Sequence, residues 1–248
     1  MKQQNIYIII IALLFVIICA MSVVIYKEEY YGHWMLHRYQ HYFAPQEELL
    51  RKSQWRDDYM CIQGWTNTLQ KLNIDCDICF FGHSQIVPID YQVYYPEKKF
   101  VTLGYWGENV DGMLRRVEQV KCVKPEKVFF MCGVNSIRYY SDDEFIGKYE
   151  TIIDSIYRAL PNVNLYVMNI LPECDWEAGS SSMNERIRQR NKYISDCCSR
   201  KGIKIVDLYP IMADEMGNLK PEVSLDGLHL NDVGYDILRN ELDKYITE

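Results

Sequence analysis

The stretch "DICFFGHSQIVP", Asp77 to Pro88, is apolar through Ile78, Cys79, Phe80 and Phe81 and then breaks at Gly82-His83-Ser84. An apolar run without polar alternation predicts a strand covered on both faces. Two readings of its end are open: an ordinary turn, or a serine held out at a strand end to do chemistry. Four later runs share its character: "KFVTL" (99–103), "KVFFMC" (127–132), "NLYVMNI" (164–170) and "IKIVDL" (203–208). Helical patterns lie among them, at about Asp57–Leu72, Val110–Gln119, Asp142–Leu160, Met183–Arg200 and Val233–Ile246. Ser182 and Glu185 form an S-x-x-E capping box at the start of the fourth, and Gly202 follows its end. Strands alternating with helices predict a parallel sheet with helices on both faces. Ligands of such sheets bind beyond the carboxyl ends of the strands, so function is sought there.

Composition narrows the class. The 248 residues carry 27 basic and 34 acidic side chains, a formal net charge of -7. No Lys/Arg stripe stands out, which disfavours nucleic acid as a partner, because phosphates must be neutralised. Ile6 to Tyr26 forms a stretch of 21 uncharged residues, long enough as a helix to span the hydrocarbon core. We read 1–26 as an N-terminal membrane anchor, 27–75 as a juxtamembrane helical segment and 76–248 as the functional domain. A cleaved signal peptide is the competing reading, but Ala20 and Ser22 make a poor cleavage site. Lys2 favours a cytoplasmic N-terminus and an external domain, periplasmic or extracellular.

His33, His37 and His41 fall on one helical face, but no carboxylate or cysteine completes a metal site there. Of nine cysteines, Cys76 and Cys79 have redox-motif spacing, yet "CDIC" enters a strand rather than opening a helix. Structural cysteines are the expectation, with no metal and no cofactor.

Past the strands lie Gly82-His83-Ser84, then Gly104, then Gly133-Val134-Asn135, then "LPECDWEAGSSS". "LDGLHLNDVGY" follows the fifth strand. Each alone reads as a turn or a cap; their shared position at one sheet edge is what informs. Ser84 needs a base, the imidazole of His229 can serve, and Asp226 lies three residues before it to orient its ring. The Ser84 and Gly104 backbone N–H groups and the Asn135 amide offer three donors for an oxyanion hole. The same chain positions allow His83 as an alternative base, disfavoured because neighbouring strand side chains point to opposite faces.

The ordered set resembles the SGNH hydrolases, also called GDSL-like lipases and acylhydrolases, from about Asp77 to the C-terminus. Gly82-His83-Ser84, Gly104, Gly133-Val134-Asn135 and "DGLHLNDVGY" are similar to the family's four blocks. The resemblance implies a three-layer α/β/α fold of flavodoxin-like type around a five-stranded parallel sheet, and ester hydrolysis without a metal. Ser84, His229 and Asp226 are then catalytic, with Ser84, Gly104 and Asn135 as the oxyanion hole. Two positions depart: His83 and Ser136 stand where the family usually has aspartate.

Three functions follow. The first is a membrane-anchored serine esterase deacetylating a carbohydrate or similar polar ester. The second is a cell-envelope O-acyltransferase using the same triad, with a membrane acyltransferase partner and with Asp175 and Trp176 in its acceptor rim. The third is a catalytically inactive binding module.

Overall fold

The computed structural model describes residues 55–174 and 183–248. The chain divides into two units, Met1–Asp58 and Tyr59–Glu248, and the second holds everything described below apart from the first turn of α1. The expectations for Ile6–Tyr26, for the three spaced histidines, for Ser182 and for Asp175 and Trp176 fall outside the described residues. Among the described residues, no helix is long and apolar enough to cross a membrane.

Five parallel strands form one sheet: β1 (Ile78–His83), β2 (Phe100–Tyr105), β3 (Lys127–Met131), β4 (Asn164–Met168) and β5 (Lys204–Val206). Their order is β2-β1-β3-β4-β5. The connection from β1 leads outward to β2, and the chain then returns to pair β3 on the other side of β1. The carboxyl ends of β1 and β3 therefore flank a topological switch point, where a crevice opens in sheets of this kind. The five apolar runs are the five strands. Their ends differ: β1 extends through Gly82 and His83, and β2 through Gly104 and Tyr105, because the ladder continues with Gly82 opposite Gly104 and His83 opposite Tyr105, while β3, β4 and β5 stop at Met131, Met168 and Val206.

The helices are α1 (Trp55–Leu72), α2 (Tyr91–Tyr94), α3 (Val110–Cys122), α4 (Asp142–Ala159), α5 (Asn184–Lys201), α6 (Tyr209–Met212) and α7 (Asp232–Ile246). Strand residues alternate between two cores. Ile78, Phe80, Phe129, Met131 and Tyr166 pack with Tyr91 of α2 and with Leu238, Leu242 and Ile246 of α7. On the opposite face Phe81 stacks on Phe130, which meets Tyr149 of α4. Every residue of β1 is buried, so each phenylalanine there contributes about 1.5–3 kcal/mol of apolar burial. That double covering is why the run lacks alternation.

Local chemistry sets the helix ends. Ser141 caps α4 by accepting from the Glu144 N–H, and Asp142, Asp143 and Glu144 complement the positive end of the helix dipole. Asn109 caps α3 by accepting from the Asp111 and Gly112 N–H groups. α5 stops at Gly202 in a left-handed conformation, as its sequence predicts. The N-cap of α5 is Met183, and Glu185 turns forward to accept from Arg188 at 2.6 Å.

Candidate active site

The β1 strand delivers Ser84 to the switch point, and a 3-10 turn, Ser84–Ile86, bends the chain away at once. Ser84 is 3% exposed, and its Oγ lies 3.0 Å from His229 Nε2. His229 Nδ1 lies 2.7 Å from Asp226 Oδ2. The other Asp226 oxygen accepts from the backbone N–H groups of His229 at 2.7 Å and Leu228 at 2.9 Å. Burial alone would raise the Asp226 carboxyl, but bonds from the His229 ring and from both N–H groups outweigh it and hold its pKa below the ordinary value. A carboxylate fixed in this way keeps the proton on His229 Nδ1, so that Nε2 presents its lone pair to the serine hydroxyl. Residues 145 positions apart are thus within the reach that proton transfer requires.

The loop carrying His229 is held by residues that the sequence did not single out. Ser224 donates from Oγ to the His229 carbonyl at 2.6 Å and accepts the Gly227 N–H at 3.0 Å. Gln85, buried beside the serine, donates from Nε2 to the Leu228 carbonyl at 2.6 Å. Trp106, just past β2, leans its ring on His229 with centroids 5.5 Å apart, yet stays 60% exposed. Bonds of this range between distant turns leave no periodic signal. The only cues were a serine two residues before Asp226 and an aromatic residue after a strand.

The three candidate oxyanion donors come from neighbouring strand ends. Gly104 sits in register with Gly82, beside Ser84. A side chain at Gly104 would strike Val87 Cγ2 at 2.5 Å, so glycine there lets the turn after Ser84 pack down. Asn135 follows β3 and donates one amide hydrogen to the Glu108 carbonyl at 3.0 Å, which leaves the second amide hydrogen.

The two departures from the family pattern have different physical settings. His83 is fully buried, and its Nδ1 accepts from the Gln85 N–H at 3.4 Å. Burial, helped by the nearby His229, pushes its pKa down to about 3, so the ring is neutral at working pH. Ser136 is equally buried, and its Oγ accepts the Val110 N–H at 3.1 Å, satisfying the first orphan donor of α3. Its carbonyl accepts from Arg190, whose Nε also pairs with Asp142 at 3.0 Å.

Cys76, Cys79, Cys122, Cys132, Cys197 and Cys198 are buried free thiols, and Cys174 is buried as well. Burial pushes the Cys76 thiol up to about 12 and Cys79 well above its ordinary value, which is the opposite of a reactive dithiol.

A curated protein from Acetivibrio thermocellus, "Putative endoglucanase X", is 28% identical over 125 residues, which is 50% of this chain. The chain spans about half of that relative's length, 51%. A GDSL-like lipase from Bacteroides thetaiotaomicron VPI-5482 superposes with a TM-score of 0.66 at 18% identity, covering 75% of this chain and 97% of the other. A carbohydrate esterase family 3 protein from Talaromyces cellulolyticus gives 0.56 at 19% identity, covering 69% and 98%. The sequence pattern of the GDSL-like Lipase/Acylhydrolase family matches residues 64–237, most of the chain, and the chain belongs to that family.

Proposed function

We propose that the chain is a serine esterase that removes a small acyl group, acetyl by preference, from a carbohydrate or similar polar ester. The observation that carries this reading is the line from Ser84 Oγ through His229 to Asp226, at 3.0 and 2.7 Å. In the first half-reaction Ser84 Oγ bonds to the ester carbonyl carbon while His229 Nε2 takes the hydroxyl proton. The carbonyl oxygen becomes an oxyanion, received by the Ser84 and Gly104 N–H groups and the free Asn135 amide hydrogen. The carbon–oxygen bond to the alcohol then breaks, and His229 returns its proton to the leaving alkoxide. In the second half-reaction His229 takes a proton from water, whose oxygen bonds to the acyl carbon; the bond from that carbon to Ser84 Oγ then breaks, His229 returns the proton to Oγ, and the free acid leaves. The polar substrate class draws support from the carbohydrate esterase that shares this fold, and from the exposed Trp106 beside His229. We read residues 1–26 as a membrane anchor that presents the enzyme on the external face.

The test is turnover of p-nitrophenyl acetate and of acetylated sugars by the purified full-length chain. Ser84→Ala is expected to lower kcat by at least about 10³-fold. Labelling of Ser84 by a fluorophosphonate probe is expected in the wild type. A wild type that neither labels nor turns over these esters would return the chain to a binding role. If added sugars accelerate turnover and emerge acylated, the acceptor is a carbohydrate rather than water, and the enzyme is a transferase.

A further inference from the structure

Near the strand ends the proposed mechanism leaves a buried ion pair unused. Arg116 on α3 is 3% exposed and Glu108, just before that helix, is 8% exposed. Arg116 Nε lies 2.7 Å from Glu108 Oε2, a charge contact rather than a well-aligned hydrogen bond. Two charges are taken out of water here, which is costly unless further bonds complete the site. They do: Arg116 Nη2 donates to the Leu103 carbonyl at 3.1 Å and to the Gly82 carbonyl at 3.3 Å. Its guanidinium also lies over the Phe81 and Tyr105 rings, at 5.4 and 5.5 Å. Space is reserved for the pair, since a Cβ at Gly112 would fall 1.3 Å from Glu108 Oε1. Alanine there would favour the helix, but it would evict the carboxylate.

The carbonyls that Arg116 grips matter for the site. The Leu103 C=O and the Gly104 N–H belong to one planar peptide, and in a trans peptide they point in opposite directions. A cation holding the oxygen therefore fixes where the N–H aims, and it polarises that N–H into a stronger donor. The Gly82 carbonyl lies one peptide before the unit that carries the Ser84 N–H. The third donor is tied to the same pair, because Asn135 donates to the backbone carbonyl of Glu108 itself. One ion pair thus touches the supports of all three candidate oxyanion donors.

We infer that Glu108 and Arg116 are positioning residues that aim the oxyanion hole. The inference rests on the esterase reading. The test uses the full-length chain with two variants. Glu108→Leu with Arg116→Met replaces the pair by apolar residues, an exchange that buried ion pairs commonly tolerate in stability. Arg116→Lys keeps the charge but loses the fork. Both are expected to lower kcat for p-nitrophenyl acetate about 10- to 100-fold, part of what deleting a donor costs, while KM moves by less than about threefold. The midpoint of the pH–rate profile should stay where it is, since His229 and Asp226 are untouched. Folded variants that keep kcat within about twofold of wild type would overturn the inference. So would a loss of rate accompanied by a shifted pH midpoint, which would assign the pair to His229 instead. An inactive wild type would overturn the esterase reading itself, and the pair's catalytic role with it.

Discussion

A buried neutral histidine directly before the nucleophile carries a consequence for acid stability. In the fold His83 does not accept a proton until about pH 3, whereas an exposed histidine does so near 6.5. Between those values the unfolded chain binds a proton that the native chain refuses, so stability falls as pH falls. From pH 6.5 to 5 the loss attributable to His83 is about 2 kcal/mol. Urea unfolding at the two pH values should record it, and His83→Gln should flatten the dependence. An unchanged slope in that variant would place the acid sensitivity at another group. Trp106 makes a different prediction at the same scale. Its ring is exposed and lies beside that of His229. Trp106→Ala should raise KM for an acetylated sugar about tenfold, roughly 1.4 kcal/mol of lost stacking, with kcat little changed. A fall in kcat at constant KM would instead make Trp106 a support of the His229 ring.

The helices show which local features the sequence discloses. The stripe Phe145, Tyr149, Ile152, Ile153 and Ile156 is buried along one face of α4, and its helical spacing alone marks it as a core face. The start of α3 at Val110 was legible, but one of its caps was not, because it comes from 26 residues away: Ser136 supplies the oxygen that takes the Val110 N–H. By the family pattern Ser136 is a lost carboxylate. In the fold it is a hydroxyl that joins the end of β3 to the start of α3. Ser136→Ala should therefore cost about 1 kcal/mol, the usual value of a cap, measured as a lowered urea midpoint at constant slope. A variant as stable as wild type would mean that Val110 finds another acceptor. At the start of α5, Arg188 three residues ahead offers Glu185 a charged partner at 2.6 Å.

At the scale of the molecule, five continuous apolar runs and the helices among them were enough to predict a doubly covered parallel sheet, and the switch-point rule then indicated the edge where Ser84, Gly104 and Asn135 lie. Long-range polar bonds were beyond such reading: Gln85 meets Leu228 across 143 residues, and Arg116 finds its carbonyls through sheet register. The proposed site residues all lie in the unit Tyr59–Glu248, and the apolar stretch Ile6–Tyr26 lies in the other. Anchoring and catalysis should therefore separate. As a helix that stretch would be about 32 Å long, enough to cross a bilayer, and no charge within it opposes insertion. Expressed in a bacterium, the full chain should sediment with membranes and stay there through an alkaline carbonate wash. A chain beginning at Lys27 should leave the membrane fraction while hydrolysing p-nitrophenyl acetate with a kcat within about twofold of the full chain. Protease added outside intact cells should cut the full chain, as an external domain requires. Recovery of the full-length gene product as a soluble protein with a new N-terminus near Ser22 would replace the anchor with a cleaved signal peptide, and would still leave the domain outside.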